Sequence, residues 1–170
     1  MPDGMLVKVR RPAAAASESA ICPAGRSSVA GDYSCNHAMQ TLPQPLLPSL
    51  VAARSGVIEY GLLKEVALSA AISAPDVLSR LSRHVAIQYS CGAMCFYDAD
   101  VIMNAVFSLG ASAPYWADHD ATIPQAMFEV YCAFDQGEYH HPGDAEDVDP
   151  EVKYTRQLIA RFLADHPHDG

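Results

Sequence analysis

A chain of 170 residues, half of them hydrophobic and only 18% charged, is long enough to bury one core and too apolar to be a disordered polyelectrolyte. Its net charge of −9 disfavours nucleic acid and anionic membrane as partners, since both recruit concentrated Lys and Arg. No apolar run approaches the roughly 20 residues of a bilayer span. The five cysteines, Cys22, Cys35, Cys91, Cys95 and Cys132, lack the dense even pattern of a secreted disulfide scaffold, so a reducing, cytoplasmic setting is expected.

Residues 1–48 are rich in Ala, Ser, Gly and Pro without a helical or strand period, and they read as a disordered arm. Arg10 and Arg11 precede an alanine run but no leucine-rich apolar segment, so no targeting peptide is expected, and Met39 offers an alternative translation start. Pro43, Pro45 and Pro48 predict a short extended approach to a helical domain over residues 49–170.

Five helices are then predicted. The first covers residues 56–71, with Ile58, Leu62, Val66 and Ala70 as its buried stripe. Ser73, with Asp76 three residues on and Pro75 between, caps the second, whose Val77, Leu78, Leu81 and Val85 turn inward before Gly92 stops it. Asp98 is placed as N-cap of the third, which buries Val101, Ile102, Ala105, Val106 and Leu109 and ends at Gly110. Thr122 and Gln125 suggest a capping box for the fourth, with Met127, Tyr131 and Phe134 inward up to Gly137. Asp149 and Pro150 open the fifth, whose Val152, Thr155, Ile159, Phe162 and Leu163 face the core until Pro167. The expected fold is all-α, a compact bundle of about five helices behind the N-terminal arm.

The charge is unevenly placed. Residues 135–151 hold seven carboxylates and no Lys or Arg, which leaves thirteen acids against eleven bases elsewhere. Within that stretch His140, His141 and Asp144 could ligate a divalent metal, but adjacent histidines diverge and the acids miss the alternating register of a calcium loop. Cys91, Cys95 and Cys132 with His84 provide zinc-ligand residue types without the paired spacing of a zinc knuckle. Cys91 and His84 stand seven residues apart, about 10 Å of helical rise, too far for a nucleophile and its base. With no Gly-x-Ser-x-Gly elbow, phosphate loop or His-Glu-x-x-His pattern, neither an enzymatic role nor a cofactor is expected.

Aromatics flanked by carboxylates suit a basic protein partner, because aromatic rings provide buried area and acids steer the encounter. Tyr115, Trp116, Asp118 and Asp120 in one loop, and Glu138, Tyr139, Asp144, Glu146 and Asp147 in the other, are the candidate partner-binding residues. The leading expectation is a non-enzymatic acidic binding protein that engages a basic protein. Small acidic helical inhibitors that cover the cationic site of a nuclease toxin in bacterial toxin–immunity pairs share this general look, although no motif of such a family is present. A metal-binding protein or metal-dependent enzyme using His140 and His141 in the acidic loop is the alternative. A self-associating or phage-derived adaptor is the third reading, with Leu63, Leu68, Ile87, Met103 and Phe107 available to a homodimer.

Overall fold

The computed structural model describes residues 44–167, which form seven α-helices and no strand among the described residues. A 3-10 turn (Gln44–Leu46) leads into α1 (Leu47–Arg54). There follow α2 (Tyr60–Ala70), α3 (Ala74–Ser90), α4 (Phe96–Gly110), α5 (Ala113–Asp118) and α6 (Gln125–Asp135). A π-helical turn (Glu151–Thr155) winds into α7 (Arg156–Asp165). None of these helices is long and apolar enough to cross a membrane.

Helices α3, α4 and α6 pack against one another and carry most of the core; α1 lies on α4, α2 on α3, and α7 on both α3 and α6. The expected inward residues are largely where periodicity puts them. Val77, Leu78, Leu81 and Val85 of α3, Ile102 and Val106 of α4, and Met127 and Phe134 of α6 are all fully buried. Ser73 makes the expected capping box, its hydroxyl accepting from the Asp76 N–H while the Asp76 side chain accepts from the Ser73 N–H. Beyond the end of α3, Gly92 takes the left-handed conformation at φ +71.

Several expectations are corrected. Seven helices replace five because α1 and α5 stand where an extended approach and a loop are expected. Pro45 lies in the 3-10 turn and Pro48 in the first turn of α1, where a missing N–H donor is harmless. The expected disordered arm falls mostly on residues 1–43, outside the described residues, and its last five residues, 44–48, are helical. Asp98 is not an N-cap; that place belongs to Cys95, without a side-chain bond, and Asp98 sits in the first turn, where its charge suits the helix dipole. The N-cap of α6 is Pro124, and Gln125 instead donates to Glu129 at 2.6 Å along the helix. On α2 the buried residues are Leu63, Val66 and Ala67; of the expected stripe Val66 and, ahead of the helix, Ile58 are buried, Leu62 and Ala70 only partly, and the helix starts only at Tyr60.

Leu63 and Met103, offered above to a homodimer, are fully buried in the core, and Ile87 and Phe107 are partly buried against it. Leu68 alone of that set is strongly exposed, at 84%.

Candidate functional site

The residues expected to bind a partner separate into two groups with α6 between them, whose 11 residues span about 16 Å. At one end, Ser112 caps α5 by accepting from the Tyr115 N–H, and the helix turns Tyr115 into the core, fully buried, with its ring against Tyr60 and His119. Tyr115 therefore cannot meet a partner as a surface anchor. Trp116 stays 41% exposed, and its indole N–H donates to the Gly110 carbonyl at 2.8 Å. Asp118 accepts a 2.6 Å hydrogen bond from the Tyr60 hydroxyl, which docks α5 onto the start of α2. Burial, then that hydrogen bond and the Asp118 charge, push the Tyr60 hydroxyl up to about 12. Asp120 is exposed in a left-handed turn at φ +50.

At the other end the acidic connection folds onto the helix that follows it. Asp144 is ion-paired with Lys153, accepts from the Tyr154 hydroxyl at 2.7 and 2.9 Å, and accepts from the His141 N–H at 2.9 Å. Its side chain is only 2% exposed, and these partners, Lys153 first, hold its carboxyl well below the usual range. The ring of His141 lies between Tyr139 and Tyr154, and its Nε2 is 2.9 Å from the Gln136 carbonyl oxygen. Glu151 is likewise matched from within the molecule, by Arg156 at 3.3 Å and the Tyr89 hydroxyl at 2.7 Å. Asp144 is thus withdrawn from any partner surface, while Glu138, Glu146 and Asp147 remain exposed and Tyr139 is 47% exposed.

The metal reading loses its ligands to the same network. Asp144 and His141 are committed to Lys153, Tyr154 and Gln136, and no three His, Cys, Asp or Glu side chains gather to hold an ion among the described residues. Cys91, Cys95 and Cys132 therefore do not assemble a zinc site with His84. Burial, and then the Arg54 charge, lower the affinity of His84 for its proton.

The structure assembles a different constellation along the seam between α4 and α6. On α4, Asp100, Asn104 and Phe107 fall at i, i+4 and i+7; on α6, Phe128, Tyr131 and Asp135 fall at i, i+3 and i+7. The helices run antiparallel, so the like ends meet. Phe107 stacks on Tyr131 with centroids 3.9 Å apart and planes 9° apart, and Phe128, 48% exposed, lies 6.3 Å from Phe107. At the other end Asp100 feels the charges of Glu138 and Asp135. Burial first, then the Glu138 side chain, push the Asp100 carboxyl up to about 7, against the opposing Asn104 hydrogen bond. Tyr131 joins the two ends: burial raises its hydroxyl, with Asp135, Glu138, Cys132 and Asp100 adding to the shift.

Of this seam, Glu138 was singled out as a contact residue in the sequence and Phe107 only as an oligomer candidate. The available signal was Asp100 itself, a carboxylate one position before the apolar run Val101–Ile102–Met103, on a helix that buries Ala99, Ile102 and Met103 beside it. No family model, no curated protein and no solved structure matches the chain, which leaves the geometry above as the ground for a functional reading.

Proposed function

We propose that the protein is a non-enzymatic acidic binding protein whose α4–α6 seam engages a basic protein partner. One observation carries the reading: the Asp135 and Glu138 charges act on Asp100 and Tyr131 with no Lys or Arg among the groups acting on either, beside the half-exposed Phe107–Tyr131–Phe128 ladder. Four other acids differ in kind. Asp144, Glu151, Asp165 and Glu129 all have basic partners within the molecule. Carboxylates without such partners attract Lys and Arg, and the neighbouring rings provide the area that a cationic side chain and its aliphatic stem cover. Glu146 and Asp147, exposed on the connection before α7, add long-range attraction. Trp116 and Tyr139 belong at most to the rim of such a surface, because Tyr115 and Asp144 are spent inside the fold.

An inhibitor of a cationic toxin is one form that this reading takes. The test is titration of the protein with the product of an adjacent gene that encodes a basic protein, at about 50 and 200 mM salt, with poly-L-lysine as the non-specific control. Submicromolar affinity that falls at least tenfold across that salt range, beyond the fall for poly-L-lysine, is expected. Absence of affinity, or affinity no different from the polylysine control, overturns it.

A further inference from the structure

The α4–α6 seam changes character along its length. Phe128, in the first turn of α6, is 48% exposed, and its ring lies 6.3 Å from Phe107, which stacks on Tyr131. Asp135, the last residue of α6, stands seven residues beyond Phe128, two helical turns or about 10 Å along the axis. Asp100 stands seven residues before Phe107 on the antiparallel α4 and so marks the same end, where Asn104 Nδ2 donates to its Oδ1 and its carbonyl at 3.0 Å. The strip is aromatic at one end and carboxylate at the other. Neither Asp100 nor Asp135 is ion-paired among the described residues.

We propose that the seam receives an amphipathic helix of the basic partner, with an apolar side chain covering Phe128 and an Arg or Lys two turns along reaching Asp135 and Asp100. The inference rests on the proposed function and adds the kind of segment recognised. Along the seam the backbone of α4 and α6 is occupied by intrahelical hydrogen bonds, and the described residues contain no strand, so an extended segment finds no ladder to join. Recognition there belongs to side chains. A helix presents the same face again after seven residues, about 10 Å, which is the spacing from Phe128 to Asp135. The 11 residues of α6, about 16 Å long, accommodate about three turns of such a segment. Charge complementarity sets its polar end, since two carboxylates without a paired cation attract a basic side chain and repel an acidic one. The aliphatic stem of that side chain runs over Tyr131, one turn before Asp135.

The experiment uses the full chain and two fluorescein-labelled, alanine-based helical peptides of about 15 residues and identical composition. One carries two leucines and, about two turns along the same face, two arginines; the other carries its arginines on the opposite face. Fluorescence anisotropy at about 150 mM salt is expected to show at least tenfold tighter binding of the first, a preference that shrinks to within about threefold in Phe128→Ala. In the wild type, NMR ring resonances of Phe128 and Tyr131 are expected to shift with the first peptide while the indole resonance of Trp116 stays in place. Equal binding of the two peptides, absence of binding by both, or a preference kept in Phe128→Ala overturns the inference. Shifts at Trp116 in place of Phe128 and Tyr131 overturn it without recourse to a variant. A basic partner that binds in the titration above while both peptides fail sinks the helical segment alone, so the two readings fail separately.

Discussion

Tyr89 and Tyr115 are both buried, but only one of the two hydroxyls has a partner. Tyr89 donates to Glu151 at 2.7 Å, whereas the Tyr115 hydroxyl, buried against Tyr60 and His119, has no hydrogen-bond partner among the described residues. A buried hydroxyl without a partner carries its desolvation cost uncompensated, while a bond to a carboxylate contributes about 1.5 to 3 kcal/mol. In urea denaturation, Tyr115→Phe is therefore expected to be neutral or stabilising by about 1 kcal/mol, and Tyr89→Phe to destabilise by about 1.5 kcal/mol. Comparable losses for both would show that the Tyr115 hydroxyl is satisfied. The sequence marks Tyr115 as an aromatic among carboxylates, the composition of an exposed anchor. Its burial follows from Ser112 capping a short helix, a signal of one residue that a reading by apolar period passes over.

Capping and apolar repeat made the long helices legible. Ser73 with Asp76 and Pro75 identifies the start of α3 because each satisfies or tolerates an unpaired N–H of the first turn, and four apolar residues at the right spacing then fix its inner face. The short helices α1 and α5, of 8 and 6 residues, give too few turns for a repeat to register, and both contain a proline that reads equally as extended chain. The corner between α2 and α3 provides two opposed substitutions. Ala71, the C-cap of α2, has φ +53, a left-handed conformation that costs an L-residue about 1 kcal/mol and glycine little. Ala71→Gly is expected to stabilise by about 0.5 kcal/mol, and Ser73→Ala, two residues on, to destabilise by about 1 kcal/mol. Denaturation midpoints compared at constant m-value check both, and a destabilised Ala71→Gly would contradict the left-handed cap.

At the scale of the molecule, residues 44–167 carry sixteen carboxylates against seven Lys and Arg, so the whole surplus of nine negative charges belongs to the described helices and their connections. Composition reveals that surplus, and its crowding into residues 135–151 is visible along the chain. Composition does not show which acids the fold neutralises. Lys153 and Tyr154 lie nine and ten residues beyond Asp144, and they meet it only because the connection turns back onto the π-helical turn before α7. Phe107 and Tyr131 are 24 positions apart and meet only because α4 packs against α6. The seam between those helices was thus hidden from a linear reading, although each of its residues sits at a helical interval on its own element.

Two charge-neutralised proteins separate the seam from the loop. One carries Asp135→Asn with Glu138→Gln, and the other Glu146→Gln with Asp147→Asn, so each loses two acids and the net charge is equal. Titrated with the same basic partner at about 150 mM salt, the seam variant is expected to bind at least tenfold more weakly than wild type, by analogy with buried charge pairs, and the loop variant within about threefold, as for rim charges. Equal weakening of the two would mean that net charge alone attracts the partner, and undiminished binding by the seam variant would place the contact elsewhere on the molecule.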